Sequence, residues 1–128
     1  MCLPPIIMAK QRTTGKARRP ANSEVENMSQ TAKIAIIGTG FSGLGMGIKL
    51  KEAGYDNFVI LGQSADVGGT WHENHYPGCA CDVQSALYSF SFEQNPNWTR
   101  MFAQQKEIQA YLRSCAEKYD LMKHVRLN

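Results

Sequence analysis

Residues 32–54 read AKIAIIGTGFSGLGMGIKLKEAG: a short isoleucine-rich run, a glycine turn and a helical repeat, in that order. Ala32 to Ile37 is bounded by Gly38 and has the composition of a parallel strand buried on both faces. From Gly43 to Ala53, Leu44 pairs with Ile48 and Met46 with Leu50 at four-residue spacing, which predicts a helix stopped by Gly54. Asn57 to Leu61 (NFVIL) reads as a second buried strand. Strand, glycine turn, helix and strand make a βαβ unit with a right-handed crossover. The fold class expected is α/β, a Rossmann-like βαβ unit.

Within that unit Gly38-Thr39-Gly40-Phe41-Ser42-Gly43 fits the pattern G-x-G-x-x-G. Gly38 permits the tight turn, Gly40 lets a pyrophosphate approach the backbone, and Gly43 lets helix and strand pack closely. The helix start offers N–H groups and partial positive charge to a diphosphate. A strand before and a helix after are the context that turns this short pattern into a dinucleotide fingerprint. The fingerprint also expects an acidic residue about 20 positions on, to hold ribose hydroxyls. Gly62 stands there, 19 residues after Gly43, followed by Gln63. No carboxylate is present, so the ribose is left to Gln63 or to water.

Residues 62–83 show no hydrophobic period and read as a long loop, a length that in compact domains usually signals function. Tyr88 to Phe92 (YSFSF) alternates aromatic and serine like a half-buried strand, and Asn95-Pro96-Asn97 is a turn. From Gln104 to Tyr119, Ile108, Tyr111, Leu112, Cys115 and Tyr119 describe an amphipathic helix. The sequence closes on a short apolar phrase, His124 to Leu127.

The net charge of +3 lies entirely in residues 1–27, where Lys10, Arg12, Lys16, Arg18 and Arg19 face Glu24 and Glu26. The remainder is neutral and carries no electrostatic footprint for nucleic acid. Residues 1–30 read as a flexible basic leader, with Met28 as an alternative start. No apolar run is long enough to span a bilayer, and the basic residues follow the apolar start instead of preceding it as in a signal peptide. A cytoplasmic protein with reduced cysteines (Cys2, Cys79, Cys81, Cys115) is expected, with neither membrane nor nucleic acid as partner. His72-x-x-His75 and Cys79-x-Cys81 carry metal-ligand residue types, but Cys-x-Cys is shorter than the usual zinc spacing, so no metal site is expected.

Asp66-Val67-Gly68-Gly69-Thr70-Trp71, then Asn74, Tyr76-Pro77-Gly78 and Cys81-Asp82, resemble the class B flavoprotein monooxygenases. That family holds the Baeyer–Villiger monooxygenases and the N-oxygenating flavin monooxygenases. The string GGTW-x-x-N-x-YPG-x-x-x-D begins about 25 residues after the fingerprint, and LYSFSFEQNPNW together with the later helix extends the likeness across residues 31–128. The closeness of YPGCACD and LYSFSF favours the Baeyer–Villiger members.

The resemblance implies FAD as the dinucleotide, its diphosphate on Gly38, Gly40, Phe41, Ser42 and Gly43. Family members place a glutamate on the adenosine ribose where this chain has Gly62, so Gly62→Glu is expected to tighten FAD binding by about 1–3 kcal/mol. Gly69, Thr70 and Trp71 would line the flavin, and Tyr88 would approach it. Ala80, Cys81 and Asp82 would face NADPH, with Asp82 a candidate site-lining carboxylate. The glycine pair allows backbone close to a planar ring, and Trp71 and Tyr76 can pack on it or close a pocket. In the family, NADPH reduces FAD, a C4a-peroxyflavin forms with O2, and one oxygen enters a ketone, amine or sulfide; the flavin carries the chemistry and the protein orients it.

The resemblance also implies a second, NADPH-binding Rossmann domain, yet no second G-x-G-x-x-G follows Gly43. The expectation is therefore the N-terminal part of a longer enzyme, inactive by itself. The alternatives are an N- or S-oxygenating flavin monooxygenase, or a non-catalytic FAD-binding remnant.

Overall fold

The computed structural model describes residues 33–128. The leader expected over residues 1–30 lies outside the described residues, as do Cys2, Met28 and Ala32. Three parallel strands form one sheet: β1 (Ile34–Ile37), β2 (Phe58–Gly62) and β3 (Val125–Leu127), with β2 in the middle. Helix α1 (Phe41–Glu52) joins β1 to β2, and α2 (Thr70–Glu73) and α3 (Gln105–Lys118) lie between β2 and β3.

The sequence places two strands in the βαβ unit; the structure adds a third to the sheet, β3, where the sequence shows only a short apolar phrase. The free edge of β2 offers unpaired backbone groups, and Val125–Leu127 takes them in register with Ile60–Gly62. A further bond from the Asn128 N–H to the Gly62 carbonyl, 3.0 Å, extends the pairing.

Across the sheet Ile36, Ile60 and Val125 stand side by side and are buried in one cluster with Leu44 and Ile48 of α1 and Ile108, Leu112 and Cys115 of α3. One residue further along each strand the side chains turn to the opposite face. There Ile37 and Leu61 keep 55% and 41% of their surface. Burial on both faces, as the composition suggests, is thus not met: among the described residues α1 packs on one face of β1 and β2, and α3 packs against α1.

Helix α1 begins at Phe41, two residues before the periodicity suggests, because Gly40 serves as its cap. Its end follows expectation. Gly54 takes φ +82°, and the Gly54 and Tyr55 N–H groups return to the carbonyls of Lys51 and Leu50 at 2.9 and 2.8 Å. At its start the helix all but touches the turn it springs from. A Cβ placed on Gly43 would lie 1.8 Å from the Gly38 carbonyl oxygen and 2.9 Å from its carbon. Both are backbone atoms of the turn, so they cannot move aside as a side-chain tip would.

Residues 88–92 do not form the expected strand. They follow a 3-10 turn, Ser85–Leu87, and fold back through a single bridge between Phe90 and Glu93. Tyr111 of α3 takes the backbone groups a strand would have used. Its hydroxyl accepts the Phe90 N–H at 2.8 Å and donates to the Glu93 carbonyl at 2.6 Å. Burial pushes the Tyr111 phenol well above its ordinary range, so it stays protonated and able to donate. Lys118 and Tyr119 grip the Glu93 side chain at 2.7 and 2.9 Å and hold its carboxyl below the usual carboxylate range, Lys118 contributing most. The turn at Asn95 is as expected, with its side chain accepting the Asn97 N–H at 3.0 Å.

Two outcomes follow from this packing. Tyr111→Phe leaves two backbone groups without their partner and should lower unfolding free energy by about 1–3 kcal/mol in urea titration. Gly43→Ala forces a methyl group into the Gly38 carbonyl and should cost more than about 4 kcal/mol, seen as loss of a cooperative circular-dichroism melt.

Candidate functional site

The glycine turn crosses from the C-terminal end of β1 to the start of α1. Gly38 takes φ +102°, and its N–H donates to the Leu61 carbonyl at 2.7 Å, tying the turn to the end of β2. Thr39 is 3% exposed and points inward. Gly40 caps α1 with an extended backbone and supplies no side-chain hydrogen bond. No acidic residue occupies the first turn of α1. The N–H groups there, free of any capping side chain, form a site suited to an anion.

Gly40 differs from Gly43 in one telling respect. Its φ of −87° is open to any residue, and a Cβ built there meets only Gly69 Cα at 3.7 Å and Gly68 O at 3.8 Å. Those are ordinary contacts, so the described protein gives no reason for glycine at this position. A ligand lying against the backbone does give one.

The second motif folds onto the first. The Gly68 N–H donates to the Thr39 carbonyl at 2.9 Å, and Gly69, with φ +54°, opens the one-turn helix α2 against Gly40. The segment expected to be a long loop therefore contains a helical turn. Gln105 and Gln109 of α3 hold it in place. The Gln105 amide donates to the Trp71 carbonyl and, at 3.0 Å, to Gln109 Oε1. The Gln109 amide meets His72 Nδ1 at 2.8 Å. Asp66, just before the motif, accepts the Val67 N–H at 2.8 Å and pairs with Arg113 at 2.8 Å. Neither glutamine is visible as a site residue in the sequence, because on a helix face they read as ordinary polar positions.

Trp71 and Tyr88 are in direct contact. The indole N–H donates to the Tyr88 hydroxyl at 3.1 Å, with the rings edge to face at 5.7 Å. Phe41 stacks edge-on against Tyr88 at 4.9 Å. Gly38, Gly40, Phe41, Ser42, Gly43, Gly69, Thr70, Trp71 and Tyr88 thus belong to one continuous structure, with Ser42 and Thr70 exposed.

Ala80, Cys81 and Asp82 stand on a separate loop pinned to the start of α3. Ala80 bridges Gln104, and the Cys81 N–H donates to the Ala103 carbonyl at 2.9 Å. Cys81 is buried and Asp82 is exposed, with no ion pair among the described residues. Tyr76 is 64% exposed and does not pack on the glycine turn. The phenol is raised above its ordinary range, chiefly by its hydrogen bond to the Cys79 sulfur, in which the phenol is the donor. Cys79, Cys81 and Cys115 are free thiols. Among the described residues no three His, Cys, Asp or Glu side chains are placed to hold a metal ion, and no helix is long and apolar enough to cross a membrane.

Gly62 closes the end of β2 next to the turn. A Cβ there would lie 2.6 Å from Thr39 Cγ2, 2.9 Å from Thr39 Oγ1 and 3.1 Å from Leu127 Cδ2. The threonine fills the space where a side chain at 62 would begin. Gly62→Glu must therefore displace a buried group before its carboxylate can reach anything, which offsets the gain expected from sequence alone. Gln63 is engaged as well: its amide donates to Glu73 Oε1 at 3.3 Å.

A family model described as an NAD(P)-binding Rossmann-like domain matches residues 36–105. A Baeyer–Villiger monooxygenase of Pseudomonas aeruginosa is 66% identical over 96 residues, covering 75% of this chain and 18% of that protein. An FAD-binding monooxygenase of Aspergillus niger is 48% identical over 98 residues, covering 76% of this chain and 16% of that one. Among solved structures, a steroid monooxygenase bound to NADP superposes with a TM-score of 0.69 at 36% identity, over 73% of this chain and 18% of the other. The chain spans less than a fifth of the length of these relatives. With fingerprint, parallel sheet and family model in agreement, the chain belongs to the NAD(P)-binding Rossmann-like domain family and is similar, over its described part, to Baeyer–Villiger monooxygenases.

Proposed function

We propose that residues 31–128 are the FAD-binding segment of a flavin- and NADPH-dependent monooxygenase of Baeyer–Villiger type, working in the cytoplasm. The single observation that carries the reading is Gly40. It is a glycine that the surrounding protein does not require, at the start of a twelve-residue helix that no side chain caps, where the fingerprint places a diphosphate.

The residues present fit FAD at the diphosphate. Gly40 leaves the backbone open, and the first N–H groups of α1 would hold the diphosphate there. The bond between Gly68 and Thr39 keeps the GGTW segment beside the same turn, so one rigid unit addresses both the diphosphate and the flavin. Trp71, with its indole N–H held by Tyr88, forms a wall whose orientation is fixed before any ligand arrives. At the ribose the fit is incomplete, because Gly62 supplies no carboxylate.

When bound, FAD carries electrons from NADPH to O2, so that one oxygen atom enters the substrate and the other leaves as water. The name of the Pseudomonas aeruginosa relative supports a ketone as that substrate. Gly62 favours a second reading, a remnant that binds nucleotide without turnover.

The chain refolded with FAD and then desalted should retain yellow absorbance at about 450 nm, the signature of oxidised flavin. A colourless product would refute the FAD reading. Gly40→Ala should fold with a melt like that of the parent but bind FAD at least about tenfold more weakly by titration calorimetry. Equal affinity would show that the backbone at Gly40 does not approach a ligand. Ketone turnover by the chain joined to its natural partner segments would separate enzyme from remnant.

A further inference from the structure

The acid missing from the end of β2 has a counterpart elsewhere. Glu73, the last residue of α2, accepts the Ser64 hydroxyl at 2.5 Å and the Gln63 amide at 3.3 Å through the same oxygen, Oε1. Ser64 and Gln63 are the two residues directly after Gly62. The Glu73 carboxylate is therefore held over the C-terminal end of β2, the location from which the fingerprint's acid normally acts. The helix that carries it starts on Gly69, in contact with Gly40, so α2 runs from the diphosphate turn to the end of the strand.

We propose that Glu73 replaces the missing acid and accepts the adenosine ribose hydroxyls of FAD. The inference rests on the FAD reading above. Three further facts fit it. Glu73 makes no ion pair with Lys or Arg among the described residues, so its charge is not already neutralised. Its Oε2 has no hydrogen-bond partner there, and a carboxylate can accept a pair of hydroxyls across its two oxygens. The Ser64 hydroxyl, and next the Gln63 amide, hold its carboxyl below the ordinary range, so it is ionised at neutral pH. Gln63 then acts as a support for Glu73 and not as a ligand of the ribose itself. Thr39 can keep the space beside Gly62, because the acceptor arrives from α2 and not from the strand.

The test compares the 128-residue chain with Glu73→Gln. The amide keeps an oxygen for Ser64 and removes the charge. Each protein is titrated with FAD and with the FAD analogue lacking both hydroxyls of the adenosine ribose, and their melts are compared. The expected result is an unchanged melt, FAD binding about tenfold weaker in Glu73→Gln, and loss of the parent's preference for FAD over the analogue. Unchanged FAD affinity in the variant overturns the inference and leaves the FAD reading standing. Weaker binding with the preference for FAD intact also overturns it, since Glu73 would then act only through the loop. A parent chain that binds no FAD at all refutes the FAD reading itself, and the inference falls with it.

Discussion

The structure depends on one close approach. Gly43 lies so near the Gly38 carbonyl that a single methyl group would overlap it, at 1.8 Å. That contact sets how near α1 comes to the sheet, and it does so at the first turn of the helix, where the N–H groups are still free. Leu44 and Ile48 then reach Ile36 and Ile60 as one fully buried layer, each side chain contributing about 1.5–3 kcal/mol of transfer free energy. Move the helix outward by an ångström and two things are lost together: the packing of that layer and the position of the helix start over the turn. Stability and anion-binding geometry are consequences of the same missing side chain.

A second set of contacts fixes the loops around that frame, and α3 is the source of most of them. Tyr111 occupies the backbone of Phe90 and Glu93, Gln105 and Gln109 hold α2, and Arg113 holds Asp66. Successive residues along one helix thus position the aromatic segment and the GGTW segment. The buried ones, Gln105 and Tyr111, act through hydrogen bonds whose partners are mostly backbone atoms, which makes their geometry tight and their loss costly.

How much of this is legible in the sequence depends on whether the signal is local. The βαβ unit is legible because strand composition, glycine spacing and helical period each act within a few residues. The α3 helix is legible for the same reason. The YSFSF segment is misread as a strand because its alternation is real but its backbone partners come from Tyr111, far along the chain, which no period reveals. β3 escapes notice because three residues carry almost no pattern, and they become a strand only where β2 presents a free edge. The strands' two-faced apolar composition is read correctly, yet burial is a property of what lies against a face. Ile37 and Leu61 have nothing of α1 or α3 against them. The site residues divide likewise: the glycines and Trp71 announce themselves by motif, whereas Thr39, Ser64 and Glu73 gain meaning only from proximity.

Glycines in this chain carry two kinds of information, and the distinction decides how far function can be argued from fold. Gly43 is required by the protein's own atoms, so its presence says only that helix and strand are close. Gly38 is required by its positive φ. Gly40 is required by neither, since its backbone angle is ordinary and its surroundings admit a side chain. A residue type that folding does not explain points to something outside the fold, and the free N–H groups beside it give that something a negative charge. Gly62 inverts the logic. The fold does account for it, because Thr39 occupies the space a side chain would need, while the fingerprint argues for an acid there. The conflict resolves if the carboxylate is carried by a neighbouring element, and Glu73, fastened to the two residues that follow Gly62, is placed to do so.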